Sequence, residues 1–204
     1  MQITIDKKTG VFLAIITLLL AALVSLGINR GDRDGFMGMG HHGSNNQNNS
    51  PSSDYTGADI MFLQMMIPHH QQAIDISNLA LKSSKDSELL ALAKIIIAAQ
   101  SSEITQMNSW LTDAGAGTDM GHSMDGMGGM LDESELSALA AATGKNFDIL
   151  WLKGMIGHHD GAIHMTTMIN DARNKEIKTF GNNVVKDQSA QIIRMEAMLK
   201  RLGN

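Results

Sequence analysis

The chain has 204 residues, 16 methionines, no cysteine and a formal net charge of −5. Without cysteine it can form no disulfide, thiolate metal site or catalytic thiol. The acidic balance argues against nucleic acid as a partner, because nucleic-acid binding favours basic patches.

The N-terminal residues predict export. Residues 11–28 are apolar and uncharged, and they follow Lys7 and Lys8. This pattern predicts a signal peptide or an N-terminal membrane anchor over residues 1–28, and both alternatives fit. Either one places the rest of the chain in the periplasm or another extracytoplasmic compartment. Residues 29–53 are rich in Gly, Asn, Ser and Asp and are predicted to form a disordered linker.

Residues 54–204 are predicted to form one helical domain. Capping residues and glycines predict five helices: about 59–81, from Asp86 or Ser87 to about 112, a short one from after Asp132 to Gly144, 146–171 and 174–202. A Met-rich loop over 115–131 separates the second helix from the third.

An internal repeat organises these helices. The segment Asp59–Ile74 is repeated as Asp148–Ile163, and the segment Gln100–Met107 is repeated as Gln188–Met195. The repeating unit is therefore a helical hairpin that occurs twice. Two amphipathic hairpins bury their apolar faces against each other, which predicts an all-α antiparallel four-helix bundle with a short extra helix in the crossover.

Each repeat carries a histidine pair preceded by a methionine one turn earlier. Helical periodicity places the first histidine of each pair on the core-facing stripe and the second beside it. The partner helices place a glutamine, Gln100 or Gln188, level with the first histidine, where it could hydrogen-bond to the imidazole. The candidate ligands in the helices are Met66, His69, His70, Met107, Met155, His158, His159 and Met195.

Imidazole and thioether together suit a soft monovalent ion such as Cu(I). A metal-free polar core layer is the alternative for the helical histidines, and core filler is the favoured explanation of Met107 and Met195 taken alone. Neither explains methionine and histidine among glycines in two segments with no core to fill. Those residues are Met37, Met39, His41, His42, Met120, His122, Met124, Met127 and Met130.

The doubled Met-x-x-His-His element, each copy followed by a Gln-x-x-Glu/Gln-Ile-x-x-Met helix, resembles the bacterial domain-of-unknown-function 305 family. The resemblance covers the chain from about Asp54 to the C-terminus. It implies a ferritin-like four-helix bundle that is exported, binds Cu(I) through Met and His, and supports copper resistance. The positions that match the motif are Met66, His69, His70, Met155, His158 and His159.

We therefore expect an exported Cu(I) chaperone or sequestrant that is not an enzyme and that accepts Ag(I) as a surrogate. The sequence leaves open which protein delivers or receives the copper. One alternative is a cuprous oxidase on a ferritin-like bundle. A di-iron enzyme lacks support, because the chain has no Glu-x-x-His motif and the repeat counterpart of Glu103 is Gln191. Another alternative is a metal-free structural or partner-binding bundle.

Overall fold

The computed structural model describes residues 54–119 and 128–203, which belong to one compact unit. The signal or anchor predicted over 1–28 and the linker predicted over 29–53 lie outside the described residues. Within the described ranges there are α-helices, one short 3-10 helix and connecting turns, and no β-strand. The prediction of an all-α fold is confirmed.

Five α-helices follow one another in the part of the chain that the structure describes. They are α1 (Gly57–Ser83), α2 (Ser87–Asp113), α3 (Glu133–Ala141), α4 (Gly144–Met165) and α5 (Lys175–Gly203). None of those helices combines the length and the apolar character that a membrane-spanning segment needs.

Side-chain caps explain where the first three helices begin. Thr56 and Asp59 form a capping box at the start of α1, and Asp86 caps α2 by accepting bonds from two backbone N–H groups. Asp132 and Glu135 form a second capping box at α3. Each cap satisfies backbone donors that the first helical turn leaves without a partner.

The end of α4 differs from the prediction of a helix to residue 171. The α-helix stops at Met165 and continues as a 3-10 helix over Thr166–Ile169. The hydroxyls of Thr166 and Thr167 donate to the carbonyls of Ile163 and His164 at 2.7 and 2.8 Å. Hydroxyl groups that bond back to the preceding turn compete with the regular helical pattern, so two adjacent threonines tighten the chain here.

The four long helices pack as two hairpins, α1 with α2 and α4 with α5, and the hairpins meet through α1 and α4. Their buried apolar side chains form two clusters. The Phe62 cluster includes Phe62 and Leu63 of α1 and Met165 of α4, and the Trp151 cluster includes Ile76 of α1 and Trp151 of α4.

The histidine pairs lie between these two clusters in the sequence. On α1 the Phe62 cluster precedes His69 and the Trp151 cluster follows it, whereas on α4 the order is reversed. The two helices therefore run in opposite directions past each other. A hydrogen bond from Trp151 Nε1 to the carbonyl of Ile76, 3.0 Å long, joins them. The ferritin-like arrangement of all four helices stays a prediction.

Candidate metal centre

Four histidines form a buried layer at the contact between the two repeats. His69 and His70 lie on α1, His158 and His159 lie on α4, and all four are 0% exposed. We call these four residues the histidine layer. The sequence placed the second histidine of each pair beside the core stripe, and the structure buries it as completely as the first.

The first histidines of the two pairs contact each other across the repeat interface. The ring centroids of His69 and His158 are 3.8 Å apart, with the ring planes inclined by 37°. Within each pair the ring centroids are 6.4 Å apart. The duplicated motif therefore brings equivalent residues of the two hairpins together, as expected for two copies packed face to face.

The second histidines hydrogen-bond within their own hairpins. His70 Nε2 lies 2.8 Å from Glu103 Oε2 on α2, and His159 Nε2 lies 2.7 Å from Gln191 Oε1 on α5. Glu103 and Gln191 occupy equivalent positions in the repeat, so the two hydrogen bonds are also equivalent. The one chemical difference is a carboxylate in the first hairpin and an amide in the second.

The expected pairing of the first histidines with Gln100 and Gln188 does not form. Both glutamines are buried, but no hydrogen bond joins either of them to a histidine, and the amide group of Gln100 has no partner in the described residues. Counting residues outward from the hairpin loop predicted how far along the helix axis each side chain lies. It did not predict in which direction around the axis the side chain points. The available signal was the three-residue spacing of Gln100 and Glu103, and of Gln188 and Gln191, which keeps both on one helix face.

Burial favours the neutral form of three of these imidazoles, those of His69, His158 and His159. Burial, with charge repulsion from His70 and His159, lowers the pKa of His69 to about 3, and the backbone of Gly128 offsets part of this. Burial lowers the pKa of His159 to about 4, against a raising effect of the Gln191 hydrogen bond. Burial and the neighbouring imidazoles also hold the pKa of His158 well below its usual value. The neutral ring is the form that binds metal ions.

The ring nitrogens of the layer are suitable metal ligands in their chemistry. Both ring nitrogens of His69 and of His158, and Nδ1 of His70 and His159, make no hydrogen bond of regular geometry among the described residues, although the backbone of Gly128 lies near enough to His69 to raise its pKa. Each buried polar atom left without a partner costs about 1–3 kcal/mol. A soft cation bound by lone pairs of these nitrogens would remove part of that cost.

The helical methionines lie on both sides of the histidine layer. Met66 and Met107 pack in the Phe62 cluster, Met155 and Met195 pack in the Trp151 cluster, and all four are fully buried. Their side chains thus serve as core residues in this structure, and their role as metal ligands stays a prediction. Across 54–119 and 128–203, no three His, Asp or Glu side chains are grouped as a ready metal site.

The crossover is attached to the bundle on both sides of residues 120–127. Before them, the side chain of Gln64 on α1 donates to the carbonyls of Gly117 and Asp119 at 2.7 and 3.3 Å. After them, Gln72 exchanges two hydrogen bonds with the backbone of Leu131, 2.9 and 2.8 Å long. Sequence reasoning missed both contacts, since glutamine in a helix carries no specific signal for a distant backbone.

A glycine contact holds the same end of the crossover on α4. A Cβ atom added to Gly161 would lie 2.1 Å from the carbonyl oxygen of Gly128, and Gly129 has a φ of +87°. The backbones approach closely because neither residue has a side chain. Met130 follows immediately and is partly buried. The other predicted loop and linker ligands, Met37, Met39, His41, His42, Met120, His122, Met124 and Met127, lie outside the described residues.

Comparison with known proteins supports this reading of the fold. A DUF305 protein of Streptomyces coelicolor that is predicted to be secreted has a similar structure, with a TM-score of 0.67, 28% identity, and coverage of 72% of this chain and 92% of that one. CopM in its Cu(II)-bound form gives a TM-score of 0.59 at 32% identity, covering 70% of this chain and 96% of that one. CopM in Cu(I)-bound, silver-bound and apo forms is also similar.

A curated relative, the uncharacterized protein L153 of Acanthamoeba polyphaga mimivirus, is 42% identical over 55 residues. That match spans 27% of this chain and 36% of the relative. The model of the domain of unknown function DUF305 matches residues 59–199, which include both hairpins and all four histidines of the layer. The chain therefore belongs to the DUF305 family.

Proposed function

We propose that the chain is an exported Cu(I)-binding protein, a chaperone or sequestrant that supports copper homeostasis and resistance. The observation that carries this proposal is the histidine layer, in which four buried imidazoles present ring nitrogens that make no hydrogen bond of regular geometry with the described residues. Similarity to CopM, which has been solved with copper and with silver, supports the choice of metal.

The proposal gives the two groups of candidate ligands different tasks. Methionines and histidines of the linker and of the crossover would capture the ion, because thioether and imidazole suit Cu(I) and Ag(I). The histidine layer, with methionines of the two clusters, would retain it inside the bundle. We further propose that the protein binds copper without catalysing its oxidation.

An extracytoplasmic location agrees with the sequence and with a relative. The predicted signal or anchor over residues 1–28 directs the domain out of the cytoplasm, and the Streptomyces protein is predicted to be secreted. A domain without cysteine can bind a soft metal through methionine in an oxidising compartment without forming disulfides.

A competition titration tests the proposal. The full chain is titrated with Cu(I) against a chelator of known affinity, alongside two variants, H69L/H158L and one with Met120, Met124, Met127 and Met130 changed to Leu. We expect submicromolar binding by the wild-type chain and weaker binding by both variants, with sulfur neighbours in the X-ray absorption spectrum. The matched control is H164L, because His164 is exposed on α4.

Three results would contradict the proposal. They are micromolar or weaker affinity, unchanged affinity in both variants, and a spectrum with only nitrogen or oxygen neighbours. Oxygen consumption above that of free Cu(I) would instead favour the cuprous oxidase.

A further inference from the structure

The hydrogen-bond partners of the second histidines differ between the two hairpins, and the repeat makes them directly comparable. Glu103 accepts a hydrogen bond from His70 Nε2, and Gln191 occupies the equivalent place beside His159 Nε2. The burial of the histidines and the distances of 2.8 and 2.7 Å are alike in the two hairpins. The two hydrogen bonds therefore compare a carboxylate partner with an amide partner.

A carboxylate can only accept a hydrogen bond, so Glu103 requires a proton on His70 Nε2. In the neutral ring the other nitrogen, Nδ1, then carries the lone pair. That atom is buried and has no hydrogen-bond partner in the described part of the chain. Glu103 thus selects the ring nitrogen of His70 that remains available to a metal ion.

An amide can either accept or donate, so Gln191 allows both forms of its partner. Through its oxygen it accepts from His159 Nε2–H and leaves the lone pair on Nδ1, as in the first hairpin. Through its nitrogen it would donate to Nε2, and the proton would then lie on Nδ1. The structure has the amide oxygen facing Nε2, but an amide excludes the other ring state less strictly than a carboxylate does.

We propose that Glu103 and Gln191 are positioning residues that aim Nδ1 of His70 and of His159 at a bound soft cation, and that the hairpin with the carboxylate binds more tightly. This inference rests on the proposed function. Glu103 is 24% exposed at its side chain, so its carboxylate meets solvent while its hydrogen-bond partner is fully buried. The negative charge beside the imidazole also increases the ring's strength as a donor toward a cation.

Reciprocal substitutions test the proposal in the full chain. E103Q converts the first hairpin to the chemistry of the second, Q191E does the reverse, and E103Q/Q191E exchanges the two without changing net charge. E196Q is the matched control, because Glu196 is exposed on α5 and its loss changes the charge by the same amount. The probes are Cu(I) and Ag(I), each titrated against a competing chelator.

Nitrogen NMR of the histidine rings in the metal-free protein provides the second readout. We expect His70 with its proton on Nε2 in the wild-type chain, a mixture in E103Q, and His159 shifted to the Nε2–H form in Q191E. The affinity for the first ion should fall about tenfold in E103Q. This is near the lower end of the roughly 10- to 100-fold loss that is typical when a residue hydrogen-bonded to a metal ligand is replaced. Q191E should strengthen binding by the second hairpin. In E103Q/Q191E the second hairpin carries the carboxylate, so the affinity for the first ion should return to that of the wild-type chain.

Some outcomes overturn the inference while leaving the proposed function intact. They are a proton on Nδ1 of His70 in the wild-type chain, an E103Q protein with unchanged ring state and affinity, and an equal loss of affinity in E196Q. If E103Q does not fold, Q191E carries the test, since it leaves the first hairpin untouched. Failure of the wild-type chain to bind Cu(I) and Ag(I) overturns the proposed function instead, and the NMR result then decides only whether Glu103 fixes the state of His70.

Discussion

Gln71 and Gln72 are neighbours with the same side chain and different surroundings. Gln72 is partly buried and exchanges two hydrogen bonds with the backbone of Leu131, 59 residues away. Gln71 is exposed and donates to Asp75 on its own helix at 2.9 Å. Only the first of these contacts joins the crossover to the bundle.

Replacing Gln72 by alanine should lower the free energy of unfolding by about 1–3 kcal/mol, because the backbone N–H of Leu131 loses its partner. Replacing Gln71 by alanine should change it by less than about 0.5 kcal/mol, as is usual for exposed positions. Urea denaturation measures both, and hydrogen exchange at the Leu131 amide should accelerate in Q72A alone. Equal effects of the two substitutions would show that the hydrogen bonds to Leu131 contribute nothing.

At the level of single residues, the sequence predicted which side chains are chemically important better than it predicted their partners. Periodicity predicted that His69 and His158 face inward, and both are fully buried. It did not predict that His70 reaches Glu103, because a small rotation of a helix exchanges one hydrogen-bond partner for another. The repeat marks Gln100 and Glu103 alike, with Gln188 and Gln191 as their counterparts, and does not show which of them meets a histidine.

At the scale of the helices, α4 is in close contact with the crossover at one glycine and open to solvent at another. Gly161 lies against Gly128 and Gly129, whereas a Cβ atom on Gly157 would meet nothing within 4 Å. Both glycines lie inside the same helix, four residues apart. They therefore form a matched pair for measuring what the contact contributes.

G157A should raise the free energy of unfolding by about 0.5–1 kcal/mol, because alanine favours the helix over glycine. G161A gains the same helical preference but places Cβ in the space of the Gly128 carbonyl, so we expect a net loss of stability. It should also displace the crossover, which faster proteolysis within residues 117–131 would reveal. A stabilised G161A with unchanged proteolysis would mean that the crossover does not depend on this contact.

Helix boundaries were predictable where side chains cap them. Asp86 and Asp132 begin α2 and α3 as the sequence indicated. The end of α4 was not predictable from the sequence. Hydrogen bonds from two threonine hydroxyls to backbone carbonyls end the α-helix earlier than its apolar pattern indicates. Contacts between elements, such as Gly161 with Gly128, depend on a packing distance that no local pattern contains.

For the whole molecule, the histidine layer makes stability depend on pH. In the unfolded chain a histidine has a pKa near 6.5, whereas burial lowers the pKa of His69 to about 3 and of His159 to about 4 in the folded protein. As pH falls below about 6.5 the unfolded chain therefore takes up protons that the folded chain does not. The stability present above about pH 6.5 is lost progressively toward pH 4.

The slope is about 1.4 kcal/mol per pH unit for each such histidine. Urea denaturation of the chelator-treated protein at pH 7.5 and pH 5 measures it. H158L should flatten the dependence by one histidine's share, because burial also lowers the pKa of His158. Parallel profiles for the wild-type chain and H158L would contradict the expected role of burial.

The fixed ends of the crossover have a consequence for how long the segment between them can become. Asp119 and Gly128 each lie beside helices that do not depend on how many residues separate them. Doubling the length of a flexible loop costs only about 0.6 kcal/mol of closure entropy. Further glycine–methionine units inserted between these two points would therefore leave the architecture of the bundle intact and, under the proposed function, add sulfur donors.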